Sequence, residues 1–309
     1  MGANEIPLEK TVPHQHVVFY THAYNFWSHT AVSVASLLEH TTDVDLHIFV
    51  DKVNIYWLNS IQRICKAANS SVSCHLFDDE QTQGLKNCGY YGLATYNRLF
   101  IPELFAGITS HLIYMDSDMI VRHSIQELTE FPLHESVLAA VPGASKKVNH
   151  AKAVSLGHGQ SVPYFNAGLM VINPRQWVNQ KIRDRCIAFG ECYPERIQLA
   201  DQDMMNFVLA GNYQRLPMKW NVVTELFSEV PADDMDNLSV EELACIREDP
   251  AIVHFNGQFK PWHFTYKHPH KKTYVQQRRK LQKRPYISDD FPSLFLTKPV
   301  AFLRRHLSR

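Results

Sequence analysis

The strongest constraint on the fold is an alternation of short apolar runs with helix-length segments between His16 and Val121. His16–Tyr20 (HVVFY), Leu46–Val50, Val72–Phe77 and Leu112–Met115 read as strands. Between them, residues 25–39 place Phe26, Ala31, Val34, Ala35 and Leu38 at mostly helical spacing. Ile55, Leu58, Ile61 and Ile64 mark a second amphipathic helix, and Thr95–Leu104 reads as a third that stops near Pro102. Strands separated by helices predict a parallel sheet covered on both faces, with ligands gathering at the carboxyl ends of the strands. Further along, Val137–Val141, Phe165–Ile172 and Ile252–Phe255 read as strands. Trp177–Phe189, Gln202–Leu209 and a weaker pattern in Asp233–Glu248 read as helices. Residues 143–162 are small and polar and read as a mobile loop.

Charge divides the chain more sharply than any other property. The formal net charge is zero, 31 Lys plus Arg against 31 Asp plus Glu. From Lys267 to Arg309, however, 12 basic residues face 2 acidic ones, a net of +10. Residues 1–266 therefore carry −10, so the sequence predicts an acidic body (1–266) and a basic tail (267–309). A 45% hydrophobic share with 20% charged residues excludes disorder, and 12 Gly and 16 Pro exclude a fibrous or low-complexity chain. No apolar run is long enough to cross a membrane as a helix. The first 15 residues lack the apolar core of a secretory leader. Six scattered Cys without a C-x-x-C then read as reduced thiols, and the expected compartment is a bacterial cytosol.

Four short segments carry chemistry. In His111–Val121 (HLIYMDSDMIV) an apolar strand runs into Asp116-Ser117-Asp118. Two carboxylates spaced i, i+2 at a strand end can converge on one divalent cation, which relieves their repulsion; a solvated turn is the other reading. His254–His263 (HFNGQFKPWH) offers an imidazole, a Gly, a Lys suited to phosphate and an aromatic ring, or else a surface loop with a packed Trp262. Tyr164–Pro174 (YFNAGLMVINP) presents Asn166-Ala167-Gly168 at the start of a strand, as a ligand-facing amide or as a tight turn. Asp201-Gln202-Asp203 opens an apolar helix, where capping accounts for one acidic group but not for three polar residues in a row.

In this order, together with TYNRLFIPELF (Thr95–Phe105) and LADQDMMN (Leu199–Asn206), the segments resemble the retaining glycosyltransferases of family 8. That group includes bacterial lipopolysaccharide galactosyl- and glucosyltransferases and the glycogenins. The resemblance covers roughly residues 16–265. It implies an α/β GT-A fold, a Rossmann-like mixed sheet flanked by helices, followed here by a basic C-terminal helical tail. It also implies a metal site of Asp116, Asp118 and His254 holding Mn²⁺ or Mg²⁺ with the donor diphosphate. Lys260 and the backbone at Gly257 would hold the diphosphate. Arg98, Ser117, Asn166, Ala167, Tyr20 and Thr21 would contact the donor, and Asp201 and Gln202 would face its sugar as the catalytic pair. Family members often follow the first strand with an acidic residue that reads the base; here FYTHAYNF puts His22 there, with Thr21 and Tyr24 as substitutes. Pro142-Gly143-Ala144 stands where close relatives carry a sugar-contacting Asp. Residues 143–162 are the candidate lid or acceptor-contacting segment.

The implied reaction moves galactose or glucose from a UDP-sugar to a glycan, such as lipopolysaccharide or another lipid-linked acceptor, with retention. Retention proceeds either through a covalent intermediate on Asp201 or Gln202, or by attack from the face the leaving group departs. The second is favoured because an amide is a poor nucleophile. Two other classes remain open at this stage. One is a non-catalytic nucleotide-sugar-binding or glycan-binding protein on the same fold, and the other is a D-x-D phosphohydrolase. The tail, with Lys271-Lys272, Arg278-Arg279-Lys280 and Lys283-Arg284, reads as a contact for an anionic membrane surface, which places the enzyme at the inner face of the cell membrane. A tail packed on the acidic body is the alternative, and nothing else in the chain supports a nucleic-acid partner.

Overall fold

The computed structural model describes residues 15–22, 26–77, 82–89, 92–159, 162–228, 234, 238–282 and 289. Its first half runs β1 (Gln15–Thr21), α1 (Trp27–Leu38), β2 (Val44–Val50), α2 (Ile55–Ala67), β3 (Ser71–Leu76), β4 (Leu112–Met115) and β5 (Met119–Val121). Then come α3 (Gln126–Thr129), β6 (Leu138–Pro142), α4 (Lys146–Ser155), β7 (Phe165–Ile172), α5 (Pro174–Asn179), α6 (Ile182–Cys192) and α7 (Asp201–Leu209). The chain continues through β8 (Gln214–Arg215), β9 (Val222–Val223), α8 (Val240–Glu248), β10 (Ile252–His254) and α9 (Lys271–Leu281). Seven strands form one sheet in the order β3-β2-β1-β4-β7-β6-β8, and β5-β10-β9 form a second.

The continuous apolar runs of the central strands follow from burial on both faces. Successive side chains point to opposite sides of a strand. In β4, Ile113 and Met115 therefore pack with Trp27, Val34 and Leu37 of α1 and Trp57 and Ile61 of α2. Leu112 and Tyr114 pack on the other face with Tyr96, Leu99, Trp177, Cys186 and Met204. This is the mixed, helix-flanked α/β architecture expected.

The sheet departs from the fully parallel pattern at one strand. β1 through β4 are parallel neighbours, but β7 runs antiparallel to both β4 and β6. The reversal has a local cause. After β6 the chain does not cross the sheet face; the Gly143 N–H bonds the Tyr164 carbonyl at 2.8 Å, so residues 143–164 start and finish at the same sheet end. This corrects the reading of 143–162 as a loop. Within it lies α4, capped by Ser145 Oγ, which accepts from the Val148 N–H, and by Asp234, which accepts from Ser145 Oγ at 2.6 Å and the Lys147 N–H at 2.8 Å. Only Asn149 and Ala153 of α4 are buried, so it lacks the apolar periodicity that marks a helix in sequence. Thr95–Leu104 is likewise two 3-10 turns, Leu93–Leu99 and Ile101–Phe105, with Pro102 in the first turn of the second, where its missing N–H costs nothing. Trp177–Phe189 divides into α5 and α6 at Lys181, which adopts a left-handed φ of 51°.

The charge boundary near Tyr266 is not a break in packing. Tyr274 of α9 is buried with Trp262, Tyr266 and Phe255, and α9 lies along α1. Lys271 Nζ donates to the carbonyls of His263, Phe264 and Tyr266 at 2.7, 2.8 and 3.1 Å. Gln277 and Lys280 both reach Glu39 at the end of α1. Residues 271–281 are thus a packed helix of the body. Beyond Gln282 the tail, Asp289 excepted, lies outside the described residues, as does Tyr24. None of the helices among the described residues is long and apolar enough to cross a membrane.

His29 joins these parts. Its ring stacks on Trp262 at a centroid distance of 3.6 Å. Its Nδ1 accepts from Tyr274 Oη (2.7 Å) and Arg278 Nη1 (3.2 Å), and Nε2 faces Asp289 Oδ2 at 3.3 Å. Burial, aided by Arg278 and opposed by Asp289, lowers the His29 pKa to about 4. Below the ordinary imidazole value the unfolded chain takes up this proton first, so stability falls as pH drops from 6.5 toward 4. Between pH 7 and pH 5 the loss from this residue is about 2 kcal/mol. Unfolding free energies from urea titrations at the two pH values should differ by that amount more in the wild type than in His29→Gln. Equal pH dependence in the two proteins would refute this assignment.

Candidate active site

Two sheets meet at one corner, and the site lies there. β4 ends at Met115 in the large sheet and β5 begins at Met119 in the small one, leaving Asp116-Ser117-Asp118 between them. The Asp116 N–H bonds the Gly168 carbonyl of β7 at 2.8 Å, and the Phe255 N–H bonds the Asp118 carbonyl at 3.0 Å. The antiparallel register Val253↔Ile120, His254↔Met119 then carries His254 alongside. One ligand atom from each of Asp116, Asp118 and His254 lies within 4.8 Å of the others. His254 Nε2 stands 3.3 Å from Asp118 Oδ1 and 3.8 Å from Asp116 Oδ2. Gly168 is required by this approach, since a Cβ there would lie 2.3 Å from His254 Cε1.

Electrostatics at the corner are unbalanced toward negative charge. Arg98 stands 3.3 Å from Asp116 Oδ1 and 2.8 Å from Asp201 Oδ2, donates to the Ala167 carbonyl at 3.0 Å, and lies over the Tyr114 ring. The Arg98–Asp201 approach is a close ion pair whose angles fall outside hydrogen-bond geometry. Burial pushes the Asp201 carboxyl up to about 7, with Asp116 adding to the rise and Arg98 opposing it. Asp116 is also raised, by burial and by the Asp118 charge, against Arg98. Burial would raise Asp118 too, but Lys260 and His254 outweigh it and hold its carboxyl well below the usual range. Lys260 Nζ donates to Asp118 Oδ2 and to the Phe255 carbonyl. Three carboxyl groups thus share two permanent cations, and two of the three are pushed toward protonation. A divalent cation would relieve this, and two carboxylates with one imidazole form a donor set that fits one.

The sugar-facing residues expected from the sequence gather beside it. The Ala167 N–H donates to Gln202 Oε1 at 2.9 Å, and Gln202 Nε2 donates to Tyr164 Oη at 3.0 Å. Tyr164 in turn donates to Asp203 Oδ1 at 2.5 Å. Asp203 Oδ2 accepts from the N–H groups of Gln198 and Leu199, both at 2.7 Å, which explains the third polar residue of that triplet as a loop anchor. Asn166 Oδ1 accepts from Gly168 N–H and from Asn221 Nδ2, and Asn221 Oδ1 faces His254 Nδ1. Sequence reading missed Asn221, which sits in an irregular stretch before a two-residue strand.

Tyr164, Asn166, Gln202 and Asn221 line, with the corner, a cavity of about 630 Å³. One wall carries Tyr20, His22, Arg98, Asp116, Ser117 and Asp118, and another is made by Pro142–Ser145 and α4 through Val148, Asn149 and Lys152. Asn166, Asp201, Gln202, His254, Gly257 and Lys260 also face it. Gly257 turns the last loop at φ +81°, a conformation that favours glycine. Two expected donor contacts do not line the cavity. Thr21 is buried behind it, its hydroxyl bonded to Thr30, which donates to Ser117 Oγ. Ala167 takes part only through its backbone, tying Gln202 to Arg98.

Comparison with known proteins follows the same residues. The family model described as glycosyl transferase family 8 matches residues 17–266. A lipopolysaccharide 1,2-glucosyltransferase of Escherichia coli is 23% identical over 77% of this chain and 70% of its own. A lipopolysaccharide 1,3-galactosyltransferase of Salmonella typhimurium is 29% identical over the same shares, 77% and 70%. General stress protein A of Bacillus subtilis is 31% identical over 59% of this chain and 63% of its own. Among solved structures, galactosyltransferase LgtC in complex with donor and acceptor sugar analogs superposes with a TM-score of 0.76 at 19% identity, covering 90% of this chain and 99% of that one. That likeness concerns the fold, and the family match spans most of the chain and every segment that builds the corner: this protein belongs to glycosyl transferase family 8.

Proposed function

We propose that the protein is a metal-dependent, retaining hexosyltransferase that moves galactose or glucose from a UDP-sugar to a glycan, with a lipopolysaccharide or other lipid-linked acceptor. The observation that carries the reading is the Asp116–Asp118–His254 cluster set against the Arg98–Asp201 pair on the wall of one cavity. The printed activities of the Escherichia coli and Salmonella relatives support the acceptor class.

Asp116, Asp118 and His254 would hold Mn²⁺, with Mg²⁺ as a substitute. When bound, the ion supplies Lewis-acid stabilisation of the diphosphate leaving group. Lys260 and Arg98 are the chain's own cations at the same place, aimed where negative charge develops as the bond to the anomeric carbon breaks. Tyr20 and His22 would flank the nucleotide, with Asn166 and Gln202 against the hexose. Two contacts favour attack by the acceptor hydroxyl from the leaving-group face. Gln202 Oε1, the only nucleophilic atom of that amide, accepts the Ala167 N–H. Asp201 is held by Arg98, and burial raises its carboxyl to about 7, which weakens it as a nucleophile. The wall formed by α4 is the proposed acceptor side. The exposed basic residues Lys272 and Arg279 of α9, continuing into residues 283–309, would meet anionic lipid at the inner face of the membrane.

With Mn²⁺ and a panel of nucleotide sugars, the purified chain should slowly release UDP from one or two hexose donors without acceptor. Asp118→Ala should lower that rate by about 100-fold or more. Inorganic phosphate released from simple phosphomonoesters, or tight donor binding without turnover, would overturn the assignment. For the membrane contact, Lys272→Glu/Arg279→Glu should weaken pelleting with phosphatidylglycerol vesicles by roughly fivefold per charge while leaving donor hydrolysis intact. Unchanged pelleting would remove the membrane reading.

A further inference from the structure

The hydrogen bonds behind His254 form a chain whose polarity can be read from one end. The Gly168 backbone N–H can only donate, and it donates to Asn166 at 3.0 Å, so the atom it meets is the amide oxygen. Asn221 meets that same oxygen at 2.9 Å and must present its amide nitrogen there. The other end of the Asn221 amide is then its oxygen, and it faces His254 Nδ1 at 2.9 Å. An amide oxygen only accepts, so Nδ1 carries the proton. The lone pair of the neutral ring is thereby placed on Nε2, the nitrogen turned toward Asp118 and Asp116. The opposite tautomer would require turning Asn221 over, which would set two amide oxygens against each other. Asn221 and His254 are 1% and 3% exposed, so solvent does not relieve that clash.

We infer that Asn221 is a positioning residue. It relays the polarity of the Gly168 N–H through Asn166 and fixes His254 as the Nδ1–H tautomer, with Nε2 presented as a metal ligand. The inference deepens the proposed function and rests on Asp116, Asp118 and His254 being the ligands. Local structure serves this role. β9 pairs with β10 in the register Val223↔His254, which brings the residue just before β9 beside the imidazole. The same amide ties the metal-facing ring to the side chain proposed to face the hexose, so one residue aligns both halves of the site. Partners of this kind, bonded to the second nitrogen of a ligating imidazole, set its orientation and basicity.

Two variants and two readouts test this. Asn221→Leu removes both bonds, whereas Asn221→Asp keeps an acceptor for Nδ1–H and, as the carboxylic acid that this buried position favours, a donor to Asn166. The first readout is the long-range proton–nitrogen NMR spectrum of the full chain labelled at histidine, recorded without metal, with His254 assigned by its loss in His254→Ala. The second is Mn²⁺ affinity in the presence of UDP, followed by electron paramagnetic resonance of the free ion. The wild type should show Nδ1 protonated, and Asn221→Leu should admit the Nε2–H tautomer. Mn²⁺ affinity should fall roughly 10- to 100-fold in Asn221→Leu and stay within about threefold in Asn221→Asp. Identical His254 spectra and identical affinity in the wild type and Asn221→Leu would overturn the inference, as would an Nε2–H pattern in the wild type. If the wild type binds no Mn²⁺, the metal-site reading fails instead, and the metal-free spectra still decide whether Asn221 sets the tautomer.

Discussion

The arrangement depends on one costly juxtaposition, three carboxyl groups in a corner that supplies two permanent positive charges. Asp118 keeps its charge because Lys260 is within hydrogen-bond reach, but Asp116 and Asp201 must share Arg98. Placing like charges close together away from water is unfavourable, and the upward shifts at Asp116 and Asp201 report that cost. A fold selected for stability alone would have little reason to build such a corner. A cation held there, as proposed, would offset that cost.

The scaffold holds the corner with backbone bonds. Asp116 and Asp118 are fixed at their main chains to β7 and to the residue after β10, so their side chains converge without having to hold themselves in place. α7 is fixed in a similar way. Asn206 bonds both the N–H and the carbonyl of Phe165, at 2.8 and 3.0 Å, which sets Asp201 and Gln202, earlier on the same helix, against the start of β7. The reversal of β7 matters to this geometry. Because β7 runs against β4, its first residues, Asn166 to Gly168, lie at the carboxyl end of the parallel strands, where a parallel β7 would have placed its last ones.

Much of this was legible in the sequence, and what was not has physical reasons. β4 and β7 were read to the residue because strands buried on both faces show as unbroken apolar runs between polar stops. Asp116, Asp118 and His254 were legible as polar groups breaking such runs. α4 was not, because a helix covering a wet cavity buries only two of its residues and carries no apolar stripe. Asn221 was hidden for a related reason. Its neighbours are set by the pairing of a two-residue strand, a contact too short to leave a pattern. Thr21 was placed in the donor site as a substitute for the base-reading acid, but strand alternation turns it to the face opposite Tyr20, and of the two only Tyr20 reaches the cavity.

The same distinction applies to the basic segment that makes the net charge zero. Counted in sequence, residues from Lys267 onward carry +10. Counted in space, several of those charges already have partners in the body. Lys271 donates to three loop carbonyls, Arg278 lies buried between Tyr274, His29 and Asp289, and Lys280 pairs with Glu39. These groups hold α9 onto α1 and, through His29 and Trp262, brace the loop that carries Lys260. Of the other described basic residues of this segment, Lys267, Lys272 and Arg279 are exposed. The described part of the basic segment therefore holds two kinds of charge: those that pack α9 against the loop carrying Lys260, and exposed ones on which the proposed membrane contact rests. A charge count alone merges the two, because it cannot register that a buried guanidinium bonded inside the protein exerts little field outside it.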